Sequence, residues 1–144
     1  MEEAVREFIR KEGVIFPADF VVEMYAQALR FAGGLAGLIQ SISRKAGEKA
    51  GSIFREKYGG DVDVESLPEL LSIFFREAGF GDLKIELDGN ILRVDVVDSF
   101  LLNIDRKPET TLKPLLGAIE GFVSTYTGRK ASGRLKGRRM EIEI

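Results

Sequence analysis

Two stretches of this 144-residue chain switch from helical to alternating periodicity, and they restrict the fold more than any other feature. Leu83 through Val96 alternates apolar and polar residues around Asp88-Gly89, a pair favoured in two-residue hairpin loops. With that loop, Ile85 is expected opposite Leu92 and Leu83 opposite Val94, while Lys84, Glu86, Arg93 and Asp95 share the other side. Ala131, Gly133 and Leu135, followed by Met140, Ile142 and Ile144, repeat the pattern around Lys136-Gly137. Each hairpin has one apolar face that needs cover. The pattern predicts a four-stranded, mainly antiparallel sheet, and every other periodic segment is helical. The expected fold class is therefore α+β, with two layers and helices covering one sheet face.

The helical segments follow from spacing at i, i+3 and i+4. Ala4, Val5, Phe8 and Ile9 form a stripe from Glu2 to Glu12, with Gly13 as the stop. Phe20, Val21, Met24, Tyr25, Ala28 and Leu29 continue after Pro17 to about Ala32, and Gly33-Gly34 marks a bend. The longest run carries Leu35, Leu38, Ile39, Ile42, Ala46, Ala50 and Ile53 to about Tyr58, ending at Gly59-Gly60. Ser66-Leu67-Pro68-Glu69 has the form of a capping box, which predicts a helix to Ala78 with Leu70, Leu71, Phe74 and Phe75 buried. A loop through Ser99 and Pro108 leads to a last helix carrying Leu112, Leu115, Leu116, Ile119, Phe122, Val123 and Tyr126, closed by Gly128. The whole of 1–144 reads as one domain, with N-terminal helices over 1–32 and the core over 33–144.

Composition closes off chemistry. The chain has no cysteine and no histidine, which excludes disulfides, thiol nucleophiles, imidazole ligands and Ser-His-Asp triads. No glycine-rich phosphate loop occurs. Asp61-x-Asp63-x-Glu65 begins like a calcium loop, but Ser66 and Ser72 stand where it needs glycine and glutamate, so it reads as a solvated loop. No apolar run reaches 18 residues, which points to a cytoplasmic chain. Charged residues make up 31% of the sequence and side-chain amides are few, a balance typical of proteins from hot environments. Residues 129–144 hold six Arg or Lys against two Glu, about +4, leaving about −6 elsewhere. Arg134 and Arg139 are expected to pair on the polar face of the second hairpin, with Glu141 and Glu143 beside them. Those glutamates and the lack of an aromatic platform count against a nucleic-acid partner.

The remaining signals are glycine and bulk. Gly33/Gly37, Gly47/Gly51 and Gly117/Gly121 each place two small residues four apart, a flat strip that admits another backbone or a slender ligand. Each interior glycine costs about 1 kcal/mol of helix propensity, so close approach is the expected return. Ten Phe are concentrated on the helices and their edges, where they serve either as core or as the wall of an apolar cavity.

Taken in order, the helix with Ala46-Gly47-Glu48-Lys49-Ala50-Gly51, the helix ending Glu77-Ala78-Gly79-Phe80-Gly81, the strand ending Val94-Asp95-Val96-Val97-Asp98-Ser99 and the helix Leu116-Gly117-Ala118-Ile119-Glu120-Gly121-Phe122 running into Thr127-Gly128-Arg129-Lys130 resemble the 4-vinyl reductase domain family. That family includes archaeal hydrocarbon-binding members and shares its fold with the small subunits of the TRAPP vesicle-tethering complex. The resemblance spans roughly residues 30–144. It implies a domain that forms homodimers and encloses an elongated apolar pocket. Many members carry cysteines around the last hairpin, whereas Ala131 to Met140 has none, so no metal site is carried over. Nor is reductase activity expected of a chain without a redox residue or cofactor motif.

The expectation is thus a non-catalytic binding or sensor domain, with no cofactor beyond a lipid, hydrocarbon or tetrapyrrole-like ligand held between helices and sheet. Leu38, Ile42, Phe54, Phe74, Phe75, Leu115, Phe122 and Tyr126 are the expected pocket walls, with Gly47 and Gly51 giving room. The alternatives are a TRAPP-like scaffold or dimerisation subunit with a solid core, and nucleic-acid binding through the basic hairpin.

Overall fold

In the computed structural model, which describes every residue except Ile15, Ala32, Gly33 and Asp61, four helices precede the first hairpin and one long helix separates the two hairpins. The helices are α1 (Glu2–Glu12), α2 (Ala18–Phe31), α3 (Leu35–Tyr58), α4 (Leu67–Glu77), the single turn α5 (Pro108–Thr111) and α6 (Lys113–Thr127). The strands are β1 (Asp82–Asp88), β2 (Ile91–Asp98), β3 (Ser132–Lys136) and β4 (Arg139–Glu143). They form one antiparallel sheet of order β1-β2-β4-β3, so β1 and β3 are its edges. The fold is α+β, as the two hairpins require. Short 3₁₀ turns at Val64–Ser66 and Phe100–Asn103 occupy segments that the sequence pattern leaves as loops.

Both hairpin turns fall one residue later than expected. Gly89 and Gly137 have φ of 61° and 60°, and among the described residues no other type has positive φ. This is the type II′ arrangement, with glycine first and an ordinary residue second, so the loops are Gly89-Asn90 and Gly137-Arg138. Ile85 therefore pairs with Val94 and Leu83 with Val96. In the second hairpin Leu135 pairs with Met140, and Arg134 faces Glu141 instead of Arg139. The capping box at Ser66 does not form either. The Ser66 hydroxyl donates to the Asp63 carbonyl at 2.7 Å, and the Asp63 carboxylate accepts the Glu65 N–H at 3.0 Å.

One continuous core lies between the layers. Leu92, Val94, Val96, Met140 and Ile142 from the sheet are buried with Leu70, Leu71 and Phe75 of α4 and with Leu115, Leu116, Ile119, Phe122 and Val123 of α6. Burying such side chains contributes about 1.5–3 kcal/mol each. α3 lies along α6, and α1 seals the other end by burying Val5 and Phe8, with Arg6 bonded to Glu77 at 3.0 Å.

Candidate functional site

The glycine strips identify each other. A methyl group on Gly47 would overlap the backbone of Ala118, and one on Gly51 would strike the Phe122 carbonyl and the Thr125 hydroxyl. From the opposite helix, Gly117 faces the backbone of Gln40 and Arg44, and Gly121 that of Arg44 and Glu48. α3 and α6 thus touch backbone to backbone along two matched strips, the small-residue packing otherwise best known from membranes. The Thr125 hydroxyl crosses the seam to the Glu48 carbonyl at 2.9 Å. Gly47 and Gly51 make room for α6. Of the third pair, Gly37 faces open space and Gly33 lies outside the described residues.

Five of the expected wall residues form an aromatic cluster. Phe74 lies 4.7 Å from Phe122 and 5.9 Å from Phe54 between ring centroids, Phe75 is 5.5 Å from Phe74, and Tyr126 is 5.8 Å from Phe122. Such separations are those of favourable aromatic pairs. Phe8 closes the end of the cluster, 5.4 Å from Phe54. All of these rings are buried, as is Leu115, and the rings pack on one another where α1, α3, α4 and α6 meet. Leu38 and Ile42 do not join them. Each is 56% exposed, one turn apart on the outside of α3, because the side of that helix given to α6 is the one carrying Gly47 and Gly51.

The sequence pattern gave no role to Glu120, which is fully buried in α6. Its carboxylate accepts from Gln40 Nε2 at 2.8 Å, from an Arg44 guanidinium nitrogen at 2.9 Å and from the Gly133 N–H at 2.9 Å. Three donors from α3 and β3 satisfy a group that burial would otherwise penalise heavily. The signal was present as one glutamate inside the apolar run from Leu115 to Val123. With every oxygen bonded, it works as a clasp between layers.

Among the described residues, three surfaces stand out by their size or apolar content. An apolar groove of about 370 Å³ runs between α1, α3 and α4 and is lined by Phe8, Ile9, Ala50, Ile53, Phe74 and Phe80, with Glu12 and Lys49 at its rim. On the polar face of the sheet, a concavity of about 720 Å³ is bounded by Arg134, Lys136 and Arg139 with Glu141. Its charges are partly spent: Arg134 pairs with Glu141 at 3.2 Å, and Arg139 makes two bonds to Asp95 at 2.8 and 3.1 Å. The Arg139 hydrogen bond holds the Asp95 carboxyl below the usual range.

The third surface is the outer side of α2. Its inner side buries Tyr25 and Leu29, and the Tyr25 hydroxyl donates to the Thr110 carbonyl at 2.6 Å while burial pushes the phenol up to about 12. On the outer side Phe20, Met24 and Phe31 stand 50%, 59% and 87% exposed along one stripe, and Phe16 stacks on Phe20 at 5.3 Å. Among the described residues there is no group of three or more acidic side chains placed to hold a metal ion, and no helix is long and apolar enough to cross a membrane. No family model matches the chain, and no curated protein matches it.

Proposed function

We propose that the chain is a non-catalytic assembly module of the 4-vinyl reductase type that pairs with a second copy of itself through the outer face of α2. The exposed stripe on that helix carries the reading. At about 150–250 Å² per aromatic side chain, Phe16, Phe20 and Phe31 together present on the order of 300–500 Å² of apolar surface. That equals the largest patch usual on a whole monomer, and it is a large share of the roughly 800 Å² that each partner buries in a stable interface. The resemblance to a dimer-forming family, the backbone-tight helix pair and the filled aromatic core support the same reading. Light scattering on a sizing column at low micromolar concentration tests it. The chain should elute at twice its 16.0 kDa, and Phe20→Ser with Met24→Lys should return it to the single-chain mass with unchanged circular dichroism. A wild-type chain that stays single as concentration rises overturns the proposal.

The groove between α1, α3 and α4 favours a second reading, capture of a lipid, hydrocarbon or tetrapyrrole-like molecule. Its 370 Å³ lies at the small end of ligand pockets, and its lining is mainly apolar. An environment-sensitive apolar dye should bind the wild type and be displaced by a fatty acid, and Ala50→Phe should abolish both by filling the groove. Equal dye binding in the variant rejects this site.

A further inference from the structure

The two edges of the sheet are treated differently. In each hairpin the residues flanking the two-residue loop bond across it, so alternate residues turn their backbone groups away from the partner strand. On β3 the outward N–H of Gly133 is held by the Glu120 carboxylate, and at the two ends of the strand Ala131 N–H is held by Ser124 Oγ at 3.0 Å and Gly137 N–H by Glu109 Oε1 at 2.8 Å. Side chains of α5 and α6 thus hold Ala131, Gly133 and Gly137 along that edge and, among the described residues, leave the outward groups of Leu135 unbonded, a largely covered edge of the kind folded proteins commonly show. On β1 the outward residues are Leu83, Ile85 and Leu87. Ser72 Oγ donates to the Leu83 carbonyl at 3.1 Å, but among the described residues nothing bonds the outward N–H and C=O groups of Ile85 and Leu87. Both side chains are half-buried at the margin of the core.

We propose that the open edge of β1 pairs antiparallel with β1 of a second copy, about a two-fold axis at Ile85. In that register Ile85 exchanges both backbone bonds with its own counterpart, and Leu87 lies opposite Leu83 of the other copy. The Leu83 carbonyl keeps a second lone pair beyond the one Ser72 uses. Charge selects both the register and the partner. Lys84 and Glu86 point to the solvent side with their side chains 69% and 64% exposed, and the two-fold sets each Lys84 against a Glu86 twice over. A shift of two residues would instead oppose Glu86 to Glu86. Edge charges that repel an arbitrary strand therefore fit this chain's own β1, attraction and exclusion together. The unfavourable pair is Asp82 with Asp88. Asp88 is already neutralised by Arg93 at 3.0 Å, and Asp82 lies beyond an irregularity in the ladder. The contact is short, so it populates at high protein concentration, and it is independent of α2 pairing.

Amide hydrogen exchange at Ile85 and Leu87, read on the full chain across a concentration series, tests the edge directly. In the wild type both amides should slow by about tenfold or more as concentration rises into the hundreds of micromolar. Lys84→Glu alone and Glu86→Lys alone should each lose that slowing, because like charges meet across the axis. An equimolar mixture of the two single variants should recover it, since positions 84 and 86 are both acidic in one chain and both basic in the other. Each variant keeps its own internal charge change in the mixture, so recovery there reports pairing between chains. Fast exchange at both amides at every concentration, or no difference between mixed and separate variants, overturns the proposal. The chain carrying Phe20→Ser and Met24→Lys should retain the concentration-dependent protection, which separates failure of this edge from failure of the α2 interface.

Discussion

α3 and α2 are adjacent helices of the same chain, both with exposed apolar residues on their outer sides, and their inner sides are built in opposite ways. α3 gives its glycine side to α6, so the two backbones meet along the glycine strips, and the seam is closed by the Thr125 hydroxyl and by the Glu120 clasp. α2 gives Tyr25 and Leu29 to the core yet keeps Phe20, Met24 and Phe31 on the outside. A helix apolar on both sides needs a neighbour on both sides. Removing side chains fixes a unique internal partner by shape and leaves space for nothing else, whereas large exposed side chains leave a surface whose partner must come from elsewhere.

The strongest way to break that contrast is to remove the clasp. Glu120→Ala should destabilise the fold by about 3–5 kcal/mol, the usual cost of deleting one member of a buried, bonded ion pair. Urea unfolding would show it as a lower midpoint at unchanged slope. Because Arg44 is 40% exposed and can rehydrate, the lower end of that range is expected.

Next in size, and sharper, is a pair of glycine replacements of opposite sign. Gly121→Ala gains roughly 1 kcal/mol of helix propensity. It also drives a methyl into the backbone of Arg44 and Glu48, which cannot swing aside as a side chain would. The net should be a loss of about 1–3 kcal/mol. Gly37→Ala, in α3 with nothing within 4 Å, should instead stabilise by about 0.5–1 kcal/mol. Thermal melts of the two variants beside the wild type decide it, and equal shifts in one direction would mean that the glycines are not a packing device.

Much of this was legible from residue spacing. Alternation and turn residues identified both hairpins, and α1, α3 and α6 lie within a residue or two of where their stripes place them. The turn positions were not legible, because Asp88-Gly89 and Gly89-Asn90 are both acceptable pairs and only the backbone shows which residue carries the positive φ. The glycine pairs announced close approach but not what approaches. Two strips of equal spacing in two helices were each other's complement, a relation that spacing within one helix does not reveal. Leu38 and Ile42 read as interior positions because a 24-residue helix offers more apolar positions than one neighbour covers. Glu120 escapes a reading by spacing because a charged residue in an apolar stripe has meaning only once its three donors, from Gln40, Arg44 and Gly133, are brought beside it.

The smallest effect probes the side of α2 that is already partnered. At pH 7 Tyr25→Phe removes one hydrogen bond, to the Thr110 carbonyl, and should cost about 1 kcal/mol. Its pH dependence is more informative. Burial holds the folded phenol at about 12 against 10.0 for the free side chain, so between those values the unfolded chain releases the proton while the folded chain keeps it. Stability from this group is therefore fully present below pH 10 and lost as pH rises toward 12, by about 2–3 kcal/mol for two pKa units. The phenylalanine variant lacks this dependence. The stability difference between the two proteins, measured by urea unfolding at each pH, should shrink above pH 10, reverse by about pH 11 and grow in the opposite sense toward pH 12, with Tyr58 and Tyr126 cancelling because both proteins contain them. A difference constant with pH would mean that the inner face of α2 is as open as its outer face, and the contrast between the two sides of that helix would fall with it.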